Sequence, residues 1–180
     1  MVYVFLADGF EEIEALTPVD ILRRAGVCVQ TVGVNGKTVT GSHAICVNTD
    51  LVQDEVTTDA LEGIVLPGGK AGTENLEKSE TVQSMIDYCC EHGLMIGAIC
   101  AAPSILGHKN LLQGKKAVSF PDFQKELAGA VIGEEFVCTD GHIITAKGAG
   151  VSLDFALELV RYLVNTHKSD EIKGQIQCGS

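Results

Sequence analysis

Apolar residues along the chain follow two alternating rhythms. Short unbroken runs at Val2–Leu6, Val27–Val34, Gly63–Leu66 and Leu94–Ile99 read as strands of a parallel sheet buried on both faces. Between them the apolar spacing changes to three or four residues. Glu11–Ala25, stopped by Gly26, predicts a helix, and so does Ser79–His92, capped by Ser79 and stopped by Gly93. Ile45–Val47 and Ala117–Ser119 predict short strands, and Pro121–Ala128 a short helix. Phe136–Thr139 and Ile143–Ala146 predict a hairpin about Asp140-Gly141. Ser152–Val164 predicts an amphipathic helix, and residues from roughly 167 to 180 a polar tail or short helix. No repeat or low-complexity linker interrupts the pattern, so one domain over residues 1–180 is expected. Alternation of strand and helix implies the α/β class, a three-layer sandwich with a mostly parallel central sheet and helices on both faces. Ligands of such sheets bind beyond the carboxyl ends of the strands. Ala7-Asp8-Gly9, Pro67-Gly68-Gly69 and Ile99-Cys100 all leave strands on that edge.

The run Leu94–Ile99 ends at Cys100, and Ala101-Ala102-Pro103 follows at once. Pro103 suits the first turn of a helix, so Cys100 is placed at a tight strand-to-helix bend. A thiol there sits at the positive end of a helix, which favours thiolate. A buried, inert cysteine is the competing reading. On the first helix, Ala15, Pro18, Val19, Ile21, Leu22 and Ala25 share one arc at about 100° per residue. Glu12, Asp20, Arg23 and Arg24 lie on or beside the opposite arc, while Glu14 falls inside the apolar one. A core-facing carboxylate is costly unless protonated or paired. Alternatively Pro18 breaks the helix and turns Glu14 outward. Beside Cys100, an ionised Glu14 would raise the thiol pKa; a protonated one would donate to the thiolate and shuttle protons. The glycines of Pro67-Gly68-Gly69 let backbone N–H groups turn toward an oxyanion, and the amide of Ala101 is the natural second donor. Gly148-Ala149-Gly150 reads as a packing turn, since it lacks a third glycine and a Walker lysine.

Composition narrows the classes. Hydrophobic residues make up 46 % of 180, yet no window suits a membrane span. The net charge of −11, with no basic stripe, argues against nucleic acid. Seven cysteines without regular spacing argue against a disulfide scaffold or a structural zinc, and a reducing cytoplasm is expected. Cys28, Cys46 and Cys138 sit in strand-like runs and are expected in the core, with Cys89 and Cys90 on a helix. No metal ligand set is read, and no histidine directly follows Cys100.

Four motifs in order resemble the ThiJ/PfpI superfamily, in its branch of the parkinsonism-associated protein deglycase. They are Gly9–Ala15 continued by Pro18–Gly26, Val65–Gly69, Ala98–Pro103, and Gly148–Gly150 with Asp154–Leu157. The resemblance implies a flavodoxin-like homodimer that needs no cofactor. It places Cys100 as an oxidisable nucleophile, Glu14 as its protonated partner, and Gly68, Gly69 and Ala101 around the oxyanion. It further implies glyoxalase or deglycase activity on methylglyoxal-type α-oxoaldehydes or their adducts, with oxidative-stress thiol sensing. A redox-responsive regulator or chaperone with little turnover is the alternative. Two positions depart from the family pattern: Phe120 stands where several relatives carry histidine, and His43 stands near a position often occupied by arginine.

Overall fold

The computed structural model describes residues 1–178. In chain order its strands are β1 (Val2–Leu6), β2 (Val29–Gly33), β3 (Thr38–Thr40), β4 (Cys46–Asn48), β5 (Leu51–Val52), β6 (Gly63–Leu66), β7 (Met95–Ile99), β8 (Lys116–Ala117), β9 (Val131–Ile132), β10 (Val137–Asp140) and β11 (Ile143–Ala146). The helices are α1 (Glu12–Arg24), α2 (Lys70–Lys78), α3 (Glu80–His92), α4 (Pro103–His108), α5 (Ser152–Leu163) and α6 (Thr166–Gln175). Seven strands form a sheet in the order β10-β11-β7-β6-β1-β2-β5. All neighbours are parallel except the β10–β11 hairpin, where Asp140 pairs with Ile143. The α/β sandwich and its mostly parallel sheet are therefore as the pattern predicts.

Strand side chains alternate between two cores, as the two-residue period requires. Val2, Val4 and Leu6 of β1 face the layer of α1, α5 and α6, against Leu22, Phe155 and Ile172. Tyr3 and Phe5 face the layer of α2, α3 and α4, against Leu76, Ile86 and Leu106. Truncating one such side chain, Leu22→Ala for instance, costs about 2–5 kcal/mol, since the cavity collapses only partly. Gly97 on β7 lets the core close over the sheet centre: a methyl there would lie 2.9 Å from Leu159 Cδ2.

Several expectations change in detail. α1 runs unbroken through Pro18, which is buried inside it. A helical proline forfeits its own N–H bond to the carbonyl four residues earlier, here that of Glu14. Cys28 and Cys46 are exposed, whereas Cys89 and Cys138 are buried. Cys28 precedes β2, and Cys46 lies on the antiparallel β3–β4 ribbon outside the main sheet. Ala117–Ser119 is a strand only over Lys116–Ala117, and Pro121–Glu126 is a 3-10 turn. α2 carries a single large buried apolar side chain, Leu76, beside Gly72 and Thr73. One such residue gives no visible helical period, so the sequence does not announce this helix. The polar tail expected from about residue 167 is mostly α6, and residues 179–180 lie outside the described residues. Among the described residues, no helix is long and apolar enough to cross a membrane.

Candidate active site

Cys100 follows β7 directly and adopts φ +65°, a left-handed conformation rare for a side-chain-bearing residue. Such a backbone costs about 1–3 kcal/mol and persists only where its surroundings hold it. Both of its peptide groups are held. Its N–H donates to Ala146 O at 2.9 Å, and its carbonyl accepts from Phe120 N at 2.9 Å. The sharp bend leaves the thiol half-buried at the sheet edge. Helix α4 begins at Pro103 as expected but spans six residues, too short to rely on for a full macrodipole.

Glu14 is completely buried on the core side of α1. Its Oε2 accepts from Gly68 N at 2.9 Å. Its Oε1 is buried without a conventional hydrogen-bond partner, and this carboxyl interacts with the Cys100 side chain. Burial raises the Glu14 pKa to about 7, against the lowering contacts from Cys100 and the Gly68 N–H. Burial likewise pushes the Cys100 thiol up to about 12, helped by the charge of an ionised Glu14 and opposed by the N–H groups of Gly69 and Ala101. The position at a helix start therefore does not by itself yield the thiolate expected from the sequence, because burial outweighs it and an ionised Glu14 and an ionised Cys100 exclude one another. A proton kept on Glu14 removes the repulsion and leaves the two amides to stabilise the sulfur.

The glycine loop is built for this approach. A methyl on Gly68 would lie 2.5 Å from Glu14 Oε2 and 2.6 Å from Cys100 Cβ. Gly69 has φ +83°, and a methyl there would lie 2.3 Å from Gly9 O. Gly69 also precedes the first residue of α2 and accepts Thr73 N at 2.8 Å. Cys100, Glu14, Gly68, Gly69 and Ala101, singled out from the sequence, therefore come together at one point. Of the three strand-end segments, Asp8 takes a structural part, its Oδ1 accepting Thr40 N at 2.9 Å.

One wall residue carries more than the sequence suggested. β11 pairs Ala146 with Ile99, so the turn after β11 lies beside Cys100. A methyl on Gly148 would sit 3.5 Å from Phe120 Cδ2, 3.9 Å from Glu14 Oε1 and 4.0 Å from Cys100 Sγ. Gly148 thus borders the site rather than serving packing alone. The signal was available, since Ala146-Lys147-Gly148 is a fourth strand end on the same edge.

Glu12 corrects the helical-face reading. It is buried, 6 % exposed, because the turn between β3 and β4 folds over the start of α1. His43 N donates to Glu12 Oε1 at 2.8 Å, and His43 Nδ1 and Ser42 Oγ lie 3.0 and 3.2 Å from Oε2. Burial pushes the Glu12 carboxyl up, but these bonds prevail and bring it to about 2; the same carboxylates raise His43. Glu11, Glu12 and His43 form the only grouping with metal-ligand spacing among the described residues, their atoms within 4.8 Å of one another. Its donors and acceptors already satisfy each other. Asp20 pairs with Arg24 on its own helix at 3.0 Å.

Comparison with known proteins places the chain in a family. The chain is 34 % identical over 95 % of its length to Protein DJ-1 homolog A of Arabidopsis thaliana, spanning 45 % of that longer relative. It is 30 % identical to Deglycase TK1284 of Thermococcus kodakarensis, covering 90 % of this chain and 98 % of the relative. The solved structure of oxidized Toxoplasma gondii DJ-1 superposes with a TM-score of 0.95 at 34 % identity, over 99 % of this chain and 98 % of that one. With the family model matching residues 1–162, this chain belongs to the DJ-1/PfpI family.

Proposed function

We propose that the protein is a cofactor-independent glyoxalase or deglycase acting on α-oxoaldehydes of the methylglyoxal type, or on their adducts. The observation that carries the reading is a buried carboxyl, raised to about 7, against a thiol that also meets the backbone N–H groups of Gly69 and Ala101. The Cys100 thiolate adds to the aldehyde carbon and forms a hemithioacetal. Glu14 gives its proton to the new oxyanion, which the amides of Gly69 and Ala101 also stabilise. The Glu14 carboxylate then takes the hydrogen from that carbon as a proton, leaving an enediolate. The hydroxyl proton passes to the neighbouring oxygen, and Glu14 returns its proton to the neighbouring carbon, so that the first carbon becomes a thioester carbonyl. One carbon is oxidised and the next reduced, so no external oxidant is needed. Water cleaves the resulting thioester, releasing a 2-hydroxy acid and the thiolate. Phe120 supplies no imidazole, so proton transfer rests on Glu14. Cys100→Ser is expected to lower methylglyoxal turnover at least about a thousandfold; lactate formation at the native rate would refute the reading.

A second reading, redox sensing at the same sulfur, is favoured by Glu14 Oε1, which is buried with no oxygen or nitrogen partner and interacts with the Cys100 side chain. A sulfinic acid oxygen on Cys100 would receive its proton. Mass analysis after limited peroxide is expected to find two added oxygens on Cys100 before any other cysteine.

A homodimer is part of the same proposal. Ile13 and Leu16 of α1 and the nearby Ile45 are exposed at 55 %, 37 % and 52 %, the composition expected of an apolar face that a second copy covers. Ile13→Asp is expected to shift the sedimentation coefficient toward that of a monomer.

A further inference from the structure

Gly148 is a glycine that neither its backbone nor its packing demands. Its φ of 160° is extended, and a methyl on it would meet nothing closer than 3.5 Å. Gly68 and Gly69 differ, since a methyl on either would collide with neighbours within 2.5 Å. The three atoms that would surround a Gly148 methyl are Phe120 Cδ2, Glu14 Oε1 and Cys100 Sγ. Two of these belong to the reacting pair. The vacant volume is therefore where an atom of the substrate next to the attacked carbon would sit.

That volume adjoins a larger one. Phe120, Pro121, Phe136, Lys147, Gly148 and Val151 are among the residues lining a hollow of about 380 Å³. Phe120 and Phe136 bound it while remaining 43 % and 65 % exposed. Lys147 Nζ lies 5.1 Å from the centre of the Phe136 ring and donates to the backbone carbonyl of Glu134 at 2.7 Å. What the hollow offers a ligand is chiefly apolar surface.

We propose that Gly148 is a specificity-determining residue. The space left by its absent side chain, continued by the hollow at Phe120 and Phe136, receives an aromatic substituent on the carbonyl next to the attacked carbon. This rests on the α-oxoaldehyde reading above and names the substrate class as aryl-substituted. Burial of a ring that water would otherwise surround supplies the preference. A pocket for one apolar group discriminates by about ten- to two-hundredfold.

The test reads the subsite without requiring turnover. Cys100 is alkylated with phenacyl bromide or bromoacetone, where the thiolate displaces bromide and a C–S bond replaces C–Br. Peptide mass reports the modification at Cys100, and the rate ratio is divided by that for glutathione. The corrected ratio is expected to exceed about tenfold in the native protein and to fall about tenfold in Gly148→Ala. Phe136→Ala, at an exposed position, is expected to lower it also and serves should Gly148→Ala fail to fold. A native ratio equal to that of glutathione, or one unmoved by these substitutions, would overturn the proposal. Phenylglyoxal and methylglyoxal assays separate the two readings. An alkylation preference without consumption of either aldehyde sinks the reaction and keeps the subsite; consumption of both without preference sinks the subsite alone.

Discussion

Glu12 and Glu14 are two residues apart on one helix, both buried, and their affinities for a proton shift in opposite directions. Glu12 is brought to about 2 and Glu14 is raised to about 7. Burial pushes both upward, so burial alone does not separate them. The count of donors does. Glu12 meets the His43 backbone N–H and side chain and the Ser42 hydroxyl. Glu14 meets one backbone N–H, from Gly68, and a thiol. A buried carboxyl ionises where donors replace its lost water and keeps its proton where they do not. The helix thus carries two identical side chains whose surroundings hold one ionised and favour a proton on the other.

The sharpest way to break the contrast is to remove the exchangeable proton. Glu14→Gln keeps the shape but cannot shuttle a proton, and methylglyoxal turnover is expected to fall about a hundred- to ten-thousandfold. Retention of more than a tenth of the native rate would show that the carboxyl is not the shuttle.

The same substitution has a smaller, opposite effect on stability. The folded pKa of Glu14 stands above the ordinary 4.5, so its favourable contribution is complete below pH 4.5 and is lost as pH rises through about 7. Above that, keeping the native carboxylate buried destabilises the fold by about 3 kcal/mol, because each tenfold change in an acid constant is worth about 1.4 kcal/mol. Glu14→Gln is expected to be more stable than the native protein at pH 8, with the gap closing toward pH 4.5. Urea unfolding at several pH values measures this, and a constant gap would contradict the raised pKa.

Glu12→Gln should behave the other way, and more weakly. Its folded pKa is depressed, so its stabilisation is present above pH 4.5 and lost as pH falls through about 2. His43 is largely exposed, and solvent screening discounts the effect to about 1–2 kcal/mol. The substitution is expected to lower stability by that amount at pH 6 and to leave it unchanged near pH 2, with turnover preserved. Equal stability at pH 6 would show that the turn donors add nothing.

Much of this was legible in local pattern. The apolar run ending at Cys100, the glycine pair after Val65-Leu66 and the intrusion of Glu14 on an apolar arc marked the site. The burial of Glu12 was not legible, because its donors lie some thirty residues away on a turn with no apolar signature. α2 was missed because it buries chiefly small residues; Gly148 stood at a legible strand end, but its place beside Cys100 needs the β7–β11 pairing to be known.

The sequence by itself determined the α/β alternation, the strand ends and the face on which Glu14 lies, because strand and helix periods are set by neighbours two to four residues apart. Only the tertiary structure decided which groups meet. Gly68 reaches Glu14 across 54 residues, and Phe120 and Gly148 come to Cys100 from still other segments. Sheet order and register made those contacts, and with them the protonation state of each carboxyl, because desolvation and hydrogen bonding depend on what arrives rather than on what is adjacent in the chain.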